Sequence, residues 1–214
     1  MRACLRREYL CKGECGRGVM VVGPDFMTGV DEEHFDEVDT LLKAAFPTDA
    51  EARLVRQLRA DGDMLYEFRK PWEGRIGGYF ALSRMQAPAD WACLAPMAVL
   101  PEWQGGKLAE RNPNMETGGP QEEAYRRPWR FGSRMLQHLQ SYYEVFPAGV
   151  QERLPETIVV LGKPSFYGRY GFSLERAQKL ISPYPLEYTL ILRRGDDVPE
   201  AELIYPQAFP GGSG

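Results

Sequence analysis

The amino-acid sequence predicts an α/β layer fold. Segments with helical periodicity alternate along the 214 residues with short runs rich in apolar β-branched residues, and no internal repeat is apparent. One stretch is especially informative: an apolar run and a glycine are followed by a helical turn that begins at Pro164 and then by Gly171-Phe172. Proline suits the first position of a helix, and glycine permits the positive φ that ends one. This stretch therefore predicts a strand, a short helix and a second strand.

The first half of the chain predicts a strand, two helices and three further strands. Residues 19–22 form a short apolar strand, and residues 33–45 form a helix whose apolar residues share one face: Phe35, Val38, Leu42 and Ala45. A second helix begins at Thr48, where the Thr48 hydroxyl and the Glu51 carboxylate are expected to form a capping box. Strands follow at residues 64–68 and 76–83, around a turn at 72–74, and at residues 93–100.

The second half predicts one long helix, a strand with a short helix after it, and a late strand. The long helix begins near Phe131, because apolar residues recur along one stripe: Phe131, Met135, Leu139, Tyr142 and Phe146. Tyr167 lies on the short helix, just beyond the carboxyl end of a strand, where open α/β sheets bind ligands. Residues 186–192 alternate in polarity and predict the late strand, and residues 203–209 predict a last strand or an edge segment.

Composition and charge exclude several classes of protein. The net charge is −4 at pH 7 and the isoelectric point is about 5.4, whereas nucleic-acid and membrane-surface binders need clustered excess Lys and Arg. Apolar stretches are far shorter than the roughly 18 residues that span a bilayer, and no apolar run follows the charged N-terminus as it would in a signal peptide. We therefore expect a cytoplasmic protein that binds neither nucleic acid nor membranes.

The cysteines and histidines do not match a metal-binding motif. Three cysteines crowd the N-terminus and a fourth lies in a predicted strand: Cys4, Cys11, Cys15 and Cys93. The Cys-x3-Cys pair with its third cysteine leaves zinc as an alternative, but His34 and His138 are distant from it in sequence. Reduced, non-ligating thiols in an N-terminal extension are the favoured interpretation. We therefore predict no metal.

Three segments carry a family resemblance. Residues 161–172 read Leu-Gly-Lys-Pro-Ser-Phe-Tyr-Gly-Arg-Tyr-Gly-Phe, residues 94–105 read Leu-Ala-Pro-Met-Ala-Val-Leu-Pro-Glu-Trp-Gln-Gly, and residues 46–59 look like a helix pair. In this order they resemble the GNAT superfamily of acyl-CoA-dependent N-acetyltransferases. The closest resemblance is to a bacterial branch of small acetyltransferases with the signature Leu-Gly-Asp-Pro-x-x-Tyr-x-Arg-Phe-Gly-Phe. Lys163 stands where that branch usually has Asp, and Tyr170 where it has Phe.

The resemblance covers roughly residues 20–208 apart from two insertions, and it implies a GNAT fold. That fold has a mixed, mostly antiparallel central sheet flanked by helices, with a parallel strand pair that splays apart, here near Val99 and Val160. The chain would then comprise an N-terminal extension at residues 1–18, a GNAT domain at 19–209 and a flexible tail at 210–214. An insertion at residues 107–129 interrupts the segment that corresponds to the phosphate-binding loop of the family.

A basic cluster surrounds the start of the long helix: Arg126, Arg127, Arg130 and Arg134. These cations oppose the helix dipole, so the residues alone fit either an anion site or a solvated surface paired with Glu122 and Glu123. The resemblance favours the anion, because the family's loop, Gln/Arg-x-x-Gly-x-Gly/Ala, binds the CoA pyrophosphate. The residues it implies as cofactor-binding are Gln104, Gly105, Gly106, Arg130, Phe131, Gly132 and Ser133.

The resemblance also implies roles for one strand and one tyrosine. Backbone groups of the strand are expected to bind pantetheine, although an ordinary buried strand would have the same residues: Met97, Ala98 and Val99. Tyr167 matches the family's tyrosine beside the CoA sulfur, with Phe166 adjoining the cofactor. A phenol with its ordinary pKa near ~10 can donate a proton to the departing thiolate. The alternative is a tyrosine that only packs against Phe166 and Phe172.

The resemblance implies an N-acetyltransferase that moves an acetyl group from acetyl-CoA to a primary amine by direct attack. The acceptor would be an unidentified small-molecule or peptide amine, and a homodimer stays open. One alternative is a non-catalytic acyl-CoA-binding or interaction module with a phosphate loop disrupted by the insertion. Another uses a longer acyl donor or a protein amino terminus as the acceptor. Because the capping box accounts for Glu51, we expect deprotonation of the amine through ordered water.

Overall fold

The computed structural model describes residues 27–72, 74–106, 131–145 and 155–210. In chain order the elements are β1 (Thr28–Gly29), α1 (Phe35–Ala45), α2 (Ala50–Asp61), β2 (Met64–Trp72), β3 (Arg75–Arg84), β4 (Trp91–Val99), α3 (Phe131–Val145), β5 (Thr157–Leu161), α4 (Pro164–Tyr167) and β6 (Thr189–Arg193). The predicted strand at 19–22, the extension at 1–18, the insertion at 107–129 and residues 211–214 lie outside the described residues. No helix within the described ranges is long and apolar enough to cross a membrane.

The six strands form one sheet in sequence order, β1-β2-β3-β4-β5-β6. Every neighbouring pair is antiparallel except β4 and β5, which run parallel. This arrangement confirms the predicted mixed, mostly antiparallel sheet flanked by helices. The parallel pairing joins Trp91–Cys93 to Thr157–Val159. The remaining described residues of β4 and β5 are not paired with each other. The strands therefore separate before Val99 and Val160, as predicted.

Helices cover both faces of the sheet. Ile158 of β5 packs with α3, whose Leu139 and Tyr143 lie beside it. Its neighbour Val159 points to the opposite face, because successive side chains of a strand alternate. There it shares a second core with Leu58 of α2, whereas Ile158 belongs to the first. The sheet therefore separates α3 from α2, and the gap between β4 and β5 lies between these two layers.

A half-buried ion pair attaches α2 to the sheet. Arg59 Nη2 lies 2.6 Å from Glu67 Oε1 on β2, and the Tyr79 hydroxyl on β3 donates to the same oxygen at 2.7 Å. The Arg59 guanidinium also stacks 3.7 Å from the centre of the Phe35 ring on α1. Burial, and then the Glu67 charge, hold the pKa of Tyr79 well above its ordinary value. The cluster joins two helices to two strands.

The predicted capping box at the start of α2 is wrong. The helix begins at Ala50 with Asp49 as its N-cap residue, and no side-chain cap bond forms there in the described structure. The Thr48 hydroxyl instead accepts a hydrogen bond from the Ala50 N–H (3.3 Å), and Asp49 pairs with Arg53. Glu51 is consequently not used in a cap.

One boundary near the C-terminus also differs from the prediction. The predicted strand at 186–192 divides, because Leu186–Tyr188 form a 3-10 turn and the strand begins only at Thr189. The turn follows Pro185, and its first carbonyl accepts the Thr189 N–H. Residues 203–209 pair through the isolated bridge of Ile204 with Ala87, so they form the edge segment that was one of the two predicted alternatives.

Candidate functional site

A cavity of about 430 Å³ lies where β4 has separated from β5. Its walls are the end of β4 and the 3-10 turn after it, the first turn of α3, and the segment that contains α4. The lining residues are Met97, Val99, Trp103, Gln104, Phe131, Gly132, Ser133, Phe166, Tyr167 and Arg169. The structure thus brings together most of the predicted site residues from three separate parts of the chain.

The open edge of β4 presents backbone groups at alternate residues. Gly78 of β3 lies opposite Val99, and the Leu100 N–H donates to the Gly77 carbonyl at 3.0 Å. Gly78 and Val99 are therefore a pair without mutual hydrogen bonds, because bonded and non-bonded pairs alternate along an antiparallel ladder. The N–H and C=O of Val99 point away from β3, towards the gap beside β5. The side-chain amide of Gln104 donates to this carbonyl at 2.8 Å.

Met97 repeats the orientation of Val99, whereas Ala98 does not. Met97 lies opposite Phe80, again a non-bonded pair, so its backbone groups also face the gap. Ala98 lies opposite Tyr79 in a bonded pair, and its side chain is buried away from the cavity. Of the three predicted backbone positions, Met97 and Val99 therefore face the site and Ala98 does not.

The first turn of α3 offers donors to a ligand. The initial N–H groups of a helix have no acceptor within the helix, and Gly132 keeps their approach open. A Cβ at Gly132 would lie 3.2 Å from Met97 Cε and 3.5 Å from Phe166 Cζ. The Ser133 hydroxyl is buried and has no hydrogen-bond partner among the described residues. An anionic group with several acceptor oxygens, such as a phosphate, fits this set of donors.

The aromatic rings of Trp103 and Phe131 form one wall of the cavity, and Trp103 was not among the predicted site residues. Trp103 stacks on Phe131 with ring centres 5.3 Å apart. Both rings approach β3 closely: a Cβ at Gly77 would lie 2.8 Å from Phe131 Cζ, and one at Gly78 would lie 3.0 Å from Phe131 Cδ1. Two adjacent glycines inside a strand are a sequence signal for such an approach.

Tyr167 is held at the inner end of the cavity. Gly162, which lacks a Cβ, leaves room for its ring, and the rings of Phe166 and Phe172 meet it edge-on at 5.0 and 5.7 Å. Its hydroxyl lies 4.0 Å from the Met97 sulfur. Burial raises the pKa of Tyr167 to about 12, and nearby Cys93 contributes in the same direction. The phenol is therefore protonated at neutral pH and suited to donate a proton.

Arg169 supplies a positive charge at the mouth of the cavity. Arg169 belongs to the family-like segment at residues 161–172, although no role was predicted for it. Its guanidinium lies 5.4 Å from the centre of the Phe166 ring, and its side chain is exposed. An exposed cation at this edge favours an anionic ligand without a large desolvation cost.

The other residues to consider are three of the predicted loop, the cysteine of β4 and one surface group. Gly105 and Gly106 end the 3-10 turn Pro101–Gly106, and Arg130 lies outside the described residues. Burial raises the pKa of Cys93 to about 12, so this thiol is not a nucleophile at neutral pH.

One surface group has metal-ligand spacing in the described ranges: Asp31, Glu33 and His34. Its histidine Nδ1 accepts the Asp31 N–H at 3.1 Å, which is a local turn contact.

The chain is similar to known N-acetyltransferases in sequence and in fold. No protein-family model matches the chain. The chain is 30% identical over 152 residues to an uncharacterized N-acetyltransferase, YhbS, of Escherichia coli K12, covering 69% of this chain and 73% of the relative. It is similar in structure to E. coli YhbS, a GNAT family N-acetyltransferase in complex with CoA, with a TM-score of 0.58, 24% identity, and 86% and 90% of the two chains covered. It is also similar to a GNAT family acetyltransferase from Brucella melitensis in complex with acetyl-CoA, with a TM-score of 0.57, 20% identity, and 86% and 97% covered.

Proposed function

The chain belongs to the GNAT superfamily of N-acetyltransferases, and we propose that it transfers an acetyl group from acetyl-CoA to a primary amine. The observation that carries the proposal is the convergence of three features on one cavity: the separated edge of β4, the first turn of α3 and the Tyr167 hydroxyl. An open strand edge suits an extended amide chain, a helix N-terminus suits a phosphate, and a phenol suits a leaving group that needs a proton. Acyl-CoA carries all three chemical groups in one molecule.

The pyrophosphate is assigned to the first turn of α3. There the N–H groups, the Ser133 hydroxyl and the exposed Arg169 supply donors and positive charge. The family pattern adds residues of the loop before the helix, which we propose also contact the pyrophosphate: Gln104, Gly105, Gly106 and Arg130. The CoA and acetyl-CoA in the two similar crystal structures support acyl-CoA as the ligand.

The pantetheine arm is assigned to β4. Its amides would pair with the N–H and C=O groups of Met97 and Val99 that face the gap. The Gln104 amide, which donates to the Val99 carbonyl, would share or yield that acceptor. The apolar side chains of Met97 and Phe166 then pack beside the thioester and keep water from it.

Tyr167 acts in the transfer step itself. Acetyl-CoA supplies an activated thioester, and the amine nitrogen bonds to its acyl carbon as the C–S bond breaks. The Tyr167 hydroxyl, which is protonated at neutral pH, donates its proton to the departing sulfur. The neutral amine loses one proton to ordered water as the amide forms, and water returns a proton to the Tyr167 oxygen. The resulting products are an amide and free CoA.

An acetyl-transfer assay tests the proposal. The protein is incubated with acetyl-CoA and a panel of small-molecule and peptide amines, and both free thiol and acetylated amine are measured. We expect release of thiol that depends on an amine in the panel and is reduced in Tyr167→Phe. Binding of acetyl-CoA without acylation of any amine would contradict the catalytic assignment and favour a CoA-binding module.

A further inference from the structure

The side chain of Met97 spans the inner end of the cavity. Its sulfur lies 4.0 Å from the Tyr167 hydroxyl, and its Cε is so close to the first turn of α3 that a Cβ at Gly132 would lie 3.2 Å from it. The side chain is half-buried against the core and lines the cavity together with Phe166. Met97 therefore fills space between the start of α3 and the Tyr167 hydroxyl.

The sheet closes a short distance beyond Met97. Burial, and then nearby Cys93, raise the pKa of Tyr167, so its hydroxyl lies close to this thiol. Cys93 is also the last residue of β4 that pairs with β5, where its partner is Val159. A ligand that extends along the open edge from Val99 to Met97 therefore approaches the closed part of the sheet. The room beyond Met97 is limited.

Under the proposed function, the thioester lies next to the Met97 side chain. The Tyr167 hydroxyl can protonate the departing sulfur only within hydrogen-bond reach, and the same hydroxyl lies 4.0 Å from the Met97 sulfur. The acyl group is bonded directly to the thioester sulfur, so the acyl chain begins beside Met97. Each methylene that lengthens this chain then competes with the methionine for the same space.

The inner end of the cavity is also uncharged. Among the described residues that line the cavity, only Arg169 is charged, and it lies exposed at the mouth. The inner end has the apolar side chains of Met97 and Phe166 beside the phenol of Tyr167. Because burying a carboxylate without a partner is unfavourable, an acyl group that ends in a carboxylate does not suit this end.

We propose that the Met97 side chain sets the length of the acyl group that the protein accepts, and that this group is short and uncharged. The proposal rests on the acetyl-transfer function and adds the selection of the acyl donor. Methionine is unbranched and polarisable, so it can pack closely against a small acyl group in an irregular space. A methylene for which an apolar pocket has no room reduces binding about tenfold.

Calorimetric titration of free CoA, acetyl-CoA, butyryl-CoA and succinyl-CoA tests the proposal without an acceptor amine. The wild type is compared with Met97→Ala, which removes the side chain beyond Cβ, and with Val99→Ala, which enlarges the same cavity at the next residue that faces the gap. We expect the wild type to bind acetyl-CoA about tenfold more tightly than butyryl-CoA. Met97→Ala should bind the two equally or prefer butyryl-CoA, whereas Val99→Ala should keep the wild-type ratio of the two affinities. Succinyl-CoA, which matches butyryl-CoA in chain length but ends in a carboxylate, should bind weakly to all three proteins.

Two results would overturn the proposal: equal affinity of the wild type for acetyl-CoA and butyryl-CoA, or the wild-type ratio in Met97→Ala. A gain for succinyl-CoA equal to that for butyryl-CoA in Met97→Ala would overturn the exclusion of charged acyl groups. Free CoA has no acyl group, so an unchanged Kd for CoA checks that the variant folds. If Met97→Ala does not fold, Met97→Val makes the same comparison with a smaller loss of volume.

The same titrations separate this proposal from the proposed function. Absence of CoA binding by the wild type would contradict the acyl-CoA site and this proposal together. Selection of the acyl group by Met97 without transfer to any amine would contradict the transfer function alone.

Discussion

Replacing Gly162 with alanine tests the position of Tyr167 without altering its hydroxyl. A Cβ at residue 162 would lie 2.7 Å from Tyr167 Cδ2 and closer still to Cε2. Carbon atoms in contact are about 3.5–4.0 Å apart, so the ring has to move by about 1 Å. Overpacking of this kind costs about 1–3 kcal/mol of the free energy of unfolding, and in a chain of this length it lowers Tm by about 2–12 °C.

The same displacement should reduce turnover. Moving a reacting group by about 1 Å costs about 10²-fold in rate, so we expect kcat to fall by that factor while the Kd for acetyl-CoA changes little. Gly168→Ala is the matched control, because a Cβ there has no described atom within 4 Å and the backbone φ is −59°. Tm is measured by circular dichroism, kcat by thiol release and Kd by calorimetry. Wild-type Tm and kcat in Gly162→Ala would refute the packing of Tyr167 on Gly162.

Three further substitutions separate chemistry, binding and stability. Tyr167→Phe keeps the ring but removes the proton donor, so kcat should fall by about 10²- to 10⁴-fold at unchanged Kd for acetyl-CoA. Burial raises the pKa of Tyr167 to about 12, so the folded state keeps the phenol protonated where the unfolded chain would lose the proton. The resulting contribution to the free energy of unfolding, about 3 kcal/mol, is complete below pH 10 and is lost as the pH rises through 12. Denaturant titrations should therefore show a smaller loss of stability over this range in Tyr167→Phe. Ser133→Ala should leave Tm unchanged, since its hydroxyl loses no described partner, but should weaken acetyl-CoA binding about fivefold in calorimetry. Glu67→Ala leaves Arg59 and the Tyr79 hydroxyl without their partner, so about 3–5 kcal/mol of stability is lost and Tm falls by about 6–20 °C.

For each of these substitutions, one result would contradict the prediction. Unchanged kcat in Tyr167→Phe would make the tyrosine a packing residue, and thiolate departure would need another donor. Unchanged Kd in Ser133→Ala would move the phosphate away from the start of α3. A Tm within 2 °C of the wild type in Glu67→Ala would mean that the ion pair is largely solvated, since exposed pairs contribute only about 0–1 kcal/mol.

Features encoded by local pattern were predictable from the sequence. The stripe that begins at Phe131 gave the long helix, and the Pro164 turn placed Tyr167 at the end of a strand. Neither the helix nor the turn depends on which distant segments of the chain pair with each other. The separation of the parallel strands was predicted through the family resemblance, and the register of β4 with β5 confirms it.

Features that depend on tertiary packing were not predictable in the same way. Whether Ala98 or Val99 faces the gap is decided by the register of β4 on β3, which the residues themselves do not encode. Trp103 lines the cavity because Gly77 of β3 admits its ring, a relation between distant segments. The predicted capping box does not form because the Thr48 hydroxyl accepts the Ala50 N–H and the helix begins at Ala50, a relation that the local pattern does not fix.

The most direct test of the acyl-CoA site is calorimetric titration of acetyl-CoA into the wild type, Gly132→Leu and Gly168→Leu. A Cβ at residue 132 would already lie 3.2 Å from Met97 Cε and 3.5 Å from Phe166 Cζ, whereas a Cβ at residue 168 has no described atom within 4 Å. We expect saturable binding with one-to-one stoichiometry to the wild type and Gly168→Leu, and no measurable binding to Gly132→Leu. Absence of binding to the wild type at high micromolar concentrations, or wild-type affinity in Gly132→Leu, would contradict the assignment of acetyl-CoA to this cavity.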